Sequence, residues 1–471
     1  MNITQIFFRS WLLRLNFRYL TSLHPAGSPK SYMVIPAKAG QRLVEYPIIL
    51  RRNRSNYWIQ LLLVACLFTL PYMTFAQSSD NLIYLHHADS LVGLDINGER
   101  ARQLIGNVKF THGKTTVTCR KAVQYLQSNK ATLEGEVVVT EDSLTMTALH
   151  GTYYGSTKIA EASGRVRLDD HKVVLYADFG TYYSNERMAH FRQNVRLYDS
   201  STVLTSDELQ YYRDEQKTIA ESNVVIVNSE NNMTLRGEHF ENYRKINYSK
   251  MTEHPRATHK DTSGSKTDSL VIISDTMETY QQAPERLVAT GNVFMYRSDI
   301  ASEAGYGVFF TKLDSIELHG SPFVWHTQEN GTVTQASGDS MYVKIKKKRL
   351  DMLYIFGHAF SLSEADSSLP KRLHQISGQD MTMYFKENKI NTIQVDKTAT
   401  ILYYLFDGKT PNGLNNTTGD HITISFLDGK IERLKVVGGV EGKYVPEKLV
   451  YGREEEYNLT GYNWKEKPVL R

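Results

Sequence analysis

Residues 162–183 read "ASGRVRLDDHKVVLYADFGTYY", and the same module stands on either side of them. Residues 133–154 read "LEGEVVVTEDSLTMTALHGTYY", and residues 191–212 read "FRQNVRLYDSSTVLTSDELQYY". Valines and tyrosines are kept while the charges change. Val108, Val137, Val166, Val195 and Val224 are 29 residues apart, as are Tyr125, Tyr154, Tyr183 and Tyr212, and Val117, Met146, Leu175 and Leu204. A fixed period of about 20–50 residues marks a repeat architecture. Within a module the apolar period is two. Val108 goes with Phe110, Val137 with Val139, Val166 with Leu168, Val195 with Leu197, Val224 with Ile226 and Val293 with Met295. One constant apolar face and one variable face describe a half-buried strand, and a second, longer strand follows in each module. Polar turns such as "TEDS", "DDHK" and "GSTK" separate the strands. Two all-β architectures fit this spacing: a parallel β-solenoid with one coil per repeat, or antiparallel hairpins folded into two facing sheets.

Working outward, residues 77–244 form a first set of repeats. The polar stretch 245–269 reads as a loop or joint. A second set over 270–440 resumes at "ATGNVFMYRSDIASEAGYGVFF", with Gly291 and Gly320 again 29 apart. Residues 441–471, charged and aromatic, read as a cap.

Ahead of the repeats, residues 51–76 pair the basic cluster Arg51, Arg52 and Arg54 with the apolar run "YWIQLLLVACLFTLPYMTFA". This is the pattern of a secretory signal cleaved after Ala76, and the run is also long enough to anchor in a bilayer uncleaved. Lipoprotein processing at Cys66 is a third reading. All three send the repeats across the membrane. Residues 1–50 are an unassigned leader without usable pattern, and the start is expected downstream of Met1.

The composition, 41% hydrophobic and 23% charged, is that of a folded protein. A net charge of +4 over 471 residues gives no nucleic-acid footprint. The 29 tyrosines against 4 tryptophans lean toward sheet. After cleavage only Cys119 would remain, so the fold is expected to rest on burial and strand pairing rather than a disulfide. No H-E-x-x-H or Cys/His spacing suggests a metal, and "DDH" at 169–171 has the repeat equivalents "EDS" and "DSS", which make it a turn. No catalytic residues, metal site or cofactor are expected.

The alternation of "G-N-V-x-F/M" strands with "A-D-x-x-x-Y-Y" strands resembles the OstA/LptA-like proteins of Gram-negative lipopolysaccharide transport, in their longer form. The pieces that carry the resemblance include "LIGNVKF", "ASGRVRL", "LYADFGTYY", "LTSDELQYY" and "ATGNVFMY". It implies an elongated β-jellyroll, two facing antiparallel sheets open along one edge, which bridges the periplasm toward the outer membrane. It also implies lipopolysaccharide as ligand, and as partners other transport jellyrolls or a second copy, joined through edge strands. The lipid groove is then expected along the constant inner face: Val108, Phe110, Val117, Val137, Val139, Met146, Val166, Leu168, Leu175, Val195, Leu197, Leu204, Val224, Ile226, Val293 and Met295. The tyrosine column is expected as a ladder on the outer sheet or as part of the groove rim. Rival readings are a β scaffold or adhesin binding by its outer face, and a β-helix enzyme acting on polysaccharide.

Overall fold

A computed structural model describes residues 83–468, apart from 172, 231, 262–267, 311–312, 329–330, 347–348, 367 and 428–429. The leader and the apolar run before Ala76 lie outside the described residues.

The chain opens with β1 (Ile83–His87) and β2 (Ser90–Ile96). Ten long strands follow: β3 (Glu99–His112), β4 (Thr115–Tyr125), β5 (Lys130–Glu141), β6 (Leu144–Tyr154), β7 (Ile159–Asp169), β8 (Val173–Tyr183), β9 (Met188–Asp199), β10 (Thr202–Tyr212), β11 (Lys217–Asn228) and β12 (Met233–Tyr243). Short and long strands then mix: β13 (Tyr248–Thr252), β14 (Arg256–Asp261), β15 (Asp268–Ile273), β16 (Thr276–Tyr280), β17 (Arg286–Tyr296), β18 (Ile300–Phe310), β19 (Ser315–His319), β20 (Phe323–Thr327), β21 (Val333–Ser337) and β22 (Ser340–Lys346). Last come β23 (Arg349–Glu364), β24 (Leu373–Lys386), β25 (Lys389–Asp407), β26 (Thr410–Leu427), β27 (Lys430–Val437), β28 (Glu441–Val445) and the one-turn helix α1 (Glu447–Val450).

From β3 to β12 the links are two to four residues long, too short for a parallel crossover. Every strand pair is antiparallel, which excludes the solenoid. Each long strand from β3 to β12 also slips register once, near its middle. On the odd strands two consecutive residues there take positive φ: Gly106 and Asn107, Gly135 and Glu136, Gly164 and Arg165, Gln193 and Asn194, Ser222 and Asn223. A bulge of this kind bends the strand and turns it from one sheet into another. Each strand therefore gives one half to a first leaf and the other half to a second leaf. The N-terminal half of β3 lies in the first leaf with β2, and its C-terminal half in the second leaf with β1.

The corner also explains the two motifs. The Asn of "GNV" donates its side-chain amide to an Asp on the preceding strand segment: Asn107 to Asp89 at 3.2 Å, and Asn292 to Asp275 at 3.0 Å. The Asp of "YADFG", Asp178, receives Asn194 at 2.6 Å, and Asp207 receives Asn223 at 2.7 Å. At Gly106 a Cβ would stand 2.0 Å from the Asp89 carboxylate, and at Gly291 2.2 Å from that of Asp275, so glycine fits both the positive φ and the close carboxylate.

Residues 245–269, expected as a loop or joint, hold strands instead. The leaves there are built from separate short strands: β13 and β16 continue the first leaf, β14 and β15 the second, and both reunite on β17. The stretch reads as polar because such short strands need few inward apolar residues, Met251 on β13 and Ala257 on β14. The same split recurs at β19 and β22 against β20 and β21.

The expected cap is β28, α1 and an extended strap that runs back over the outer face of the second leaf. Its Leu459 and Trp464 pack against Phe360, Leu362 and Leu373. The face beneath is apolar as well, so Phe323 and Trp325 on β20 are buried outward while Val324 is buried inward.

Candidate functional site

The site lies between the two leaves of the first array, β1 to β12. Inward residues next to the corner are sealed: Val108, Val137, Val166, Val195 and Val224 are each at most 2% exposed. Val117, Leu175 and Leu204 are buried as well. At that same level, one inward position out from the corner, burial alternates along the array: Phe110, Val139, Met146, Leu168, Leu197 and Ile226, in register with Val117, Leu175 and Leu204 or beside them, are only half-buried against the same cores. Fourteen of the sixteen residues of the expected groove therefore divide into a dry spine and an accessible apolar column. Val293 and Met295 belong to neither. They sit in the sealed core of the second array, with Met341, Ile355, Met381, Met383, Val395 and Ile424.

The tyrosine column sits outside the cleft. In register, Leu133 and Ala131 of β5 face Gly151 and Tyr153 of β6, so Tyr153 shares the inner face of Leu133 while Tyr154, opposite Lys130, lies on the outer one. Lys130 lies over the Tyr154 ring at 5.4 Å, and Lys217 over the ring of Tyr243 at 4.9 Å. Tyr243, Tyr248 and Tyr280 continue this row with ring centroids 5.7 and 5.2 Å apart. The other tyrosine of each pair, Tyr153 or Tyr182, points into the cleft. Adjacent residues on a strand face opposite ways, and that is the signal by which the inner tyrosines could have been found.

At the mouth the ends of the two leaves differ in charge. The first-leaf lip carries Lys158, Arg187, Arg213, Arg244 and Lys245 beside the acids Glu186, Asp214 and Glu215, and the second-leaf lip carries Glu141, Asp142, Asp170, Asp199 and Glu230 beside Lys114. Contacts cross between them. His112 meets Tyr153 edge-on with ring centroids 6.3 Å apart. Arg213 reaches Glu141, 72 residues away in sequence, at 3.5 Å. Thr115 holds the other oxygen of Glu141 at 3.1 Å. Burial pushes the Asp199 carboxyl above its ordinary range, and Arg244 pulls it the other way. Burial also raises the Tyr153 phenol and pushes the Cys119 thiol up to about 11, which leaves that buried thiol inert at neutral pH.

The second array closes differently. His326 and Phe385 meet edge-on across the leaves at 5.3 Å, and Asn388 donates to Asp299 at 2.8 Å. His326 is buried where Arg213 and Glu141 are exposed. Among the described residues no group of three or more His, Cys, Asp or Glu side chains is placed to hold a metal ion, and no helix is long and apolar enough to cross a membrane.

The model of the OstA-like protein family matches residues 80–235 and again 172–253, which together span the first array. No curated protein matches the chain. Among solved structures the chain is similar to LptH, described as the LptA homologous periplasmic component of the conserved lipopolysaccharide transport device from Pseudomonas aeruginosa. Identity is 12% and the TM-score 0.25, over 31% of this chain and 95% of that chain.

Proposed function

We propose that this OstA-like chain is a periplasmic lipopolysaccharide carrier that acts by binding, without a catalytic step. The acyl chains lie in the cleft of the first array, and the chain is one station of a bridge toward the outer membrane. The observation that carries this reading is the half-buried apolar column, Phe110, Val139, Met146, Leu168, Leu197 and Ile226, recurring at one level along the array with buried Val117, Leu175 and Leu204 between its members, behind a mouth bridged by Arg213 with Glu141 and by His112 against Tyr153. Each CH₂ withdrawn from water gains about 0.8 kcal/mol, so one long acyl chain gains on the order of 10 kcal/mol. A single deep pocket with that gain would trap a lipid. A column of similar sites holds it at each position and lets it step.

Partners fit the same reading. Among the described residues β1 pairs only with β3, and β2 does likewise. Ile83, Tyr84, Leu85 and Leu91 on these strands are exposed. An open strand edge with apolar side chains is suited to pairing with another jellyroll or a second copy.

Site-specific photocrosslinking in cells tests the carrier reading. Crosslinkers at Leu168 and Leu197 should yield lipopolysaccharide adducts, whereas Val166 and Val195 beside the corner, and the outward Arg167 and Arg196, should not. Absence of adducts at every inner position in a folded, exported protein would instead favour a scaffold that binds by its outer face.

A further inference from the structure

We propose that Arg213 and Arg244, on the first-leaf lip, form a headgroup site for the phosphate of an anionic amphiphile. Until the ligand arrives, Glu141 and Asp199 on the opposite lip act as stand-ins. The inference rests on the carrier reading and adds to it the chemistry of the ligand's polar end.

Three observations converge. First, Arg213 forms an ion pair with an acid of the other leaf, and Arg244 stands near enough to a second acid there to offset the effect of burial on it. Arg187 pairs instead with Asp214 beside it at 3.1 Å, and Lys245 donates to the Asp214 carbonyl oxygen. Arg213 pairs with Glu141 at 3.5 Å, and Arg244 acts on Asp199. Second, the arginines stand at the head of the accessible column. The Arg213 guanidinium is also within electrostatic reach of Tyr182, a residue of the inner tyrosine row. A phosphate on the lip would therefore leave its acyl chains beside Leu168 and Leu197. Third, the latch is built to be exchanged. The Arg213 and Glu141 side chains are 44% and 36% exposed, and an ion pair in water contributes little net stability. A phosphate offers the guanidinium a bidentate, more highly charged acceptor than one oxygen of a distant carboxylate. The exchange moves charge but breaks no covalent bond. Its acidic side then faces water, and the lips are free to part.

The test uses the full exported chain with lipid A, dephosphorylated lipid A and inorganic phosphate as probes, in one detergent at fixed salt. The double variant Arg213→Gln/Arg244→Gln should bind lipid A at least tenfold more weakly while keeping wild-type affinity, or better, for the dephosphorylated lipid. Glu141→Gln should bind lipid A severalfold more tightly, and Arg213→Lys should retain part of the binding that Arg213→Gln loses. Of the three positions, Arg213 and Arg244 are exposed beside turns and Glu141 ends β5 half-buried, and matching melting curves confirm that the variants fold. Equal effects on the two lipids would make the contacts a mechanical latch and overturn the headgroup site, as would no effect on either. Tight, arginine-dependent binding of inorganic phosphate that lipid A does not displace would make it a free-phosphate site, which also overturns the proposal. Failure of the wild type to bind either lipid would overturn the carrier reading itself.

Discussion

The asparagine before a corner valine and an aspartate on a neighbouring segment are the two halves of one hydrogen bond at four of the corners, as between Asn194 and Asp178 of "YAD". The valine that follows the asparagine was legible, because period-two burial is written locally. The asparagine was not, because its partner is a strand away and its value lies in tolerating positive φ while capping the bend. His374 on β24 shows a half-buried group whose effect is visible only in the fold. Its Nδ1 accepts from the Tyr404 backbone N–H at 3.2 Å, and burial pulls its pKa down to about 4. Unfolded, the ring titrates near 6.5. Between those values the unfolded chain binds the proton and the folded chain does not. The stabilising share is thus complete above about pH 6.5 and is lost as pH falls toward 4, in total on the order of 3 kcal/mol. Urea unfolding at pH 7.5 and 4.5 should show a larger loss for the wild type than for His374→Gln. An identical loss in both would remove this histidine from the acid response.

At the scale of elements, the strands and their apolar faces were readable from the repeat, but the choice between hairpins and coils was not. That choice depends on the corner bulges and the short links acting together. The strap was illegible for another reason: its contacts are long-range and made largely through its backbone. Gln335 on β21 donates to the Lys465 carbonyl oxygen at 2.6 Å and accepts from the Lys465 N–H at 3.1 Å. Gln375 on β24 does the same further along, accepting from Leu459 N–H at 2.8 Å and donating to the Asn458 side-chain oxygen at 2.5 Å. Arg372, 2% exposed, holds Glu447 and Glu454. Replacing Gln335 with Leu removes two hydrogen bonds worth about 1 kcal/mol each. Local opening of the strap should rise by roughly tenfold or more. Limited proteolysis after Lys465 should accelerate by that factor while the melting temperature of the body barely moves. Unchanged cleavage would mean that the strap is held elsewhere.

For the whole molecule, one repeat produces two unlike bodies. Which inner residues stay accessible depends on what the facing leaf presents to each, as buried Leu175 between half-buried Leu168 and Leu197 shows, and that is not written in a single strand. Leu197 and Met295 occupy comparable places in their modules, yet Leu197 is half-buried and Met295 is 3% exposed. Hydrogen exchange should therefore find the distal strand halves of β5 to β11 opening more readily than those of β23 to β26. Equal protection in both would contradict the division. The order of pairing has a kinetic consequence as well. Each strand bonds to segments near it in sequence, while the strap closes contacts 130 to 169 residues long. Short-range closure is fast and long-range closure slow. A chain delivered amino end first can lay down hairpin upon hairpin as it emerges, each template ready before the next arrives. Only when residues 459–465 have followed does the strap seal Trp325 and Phe360 from water, so its closure also reports that the strands before it are in place.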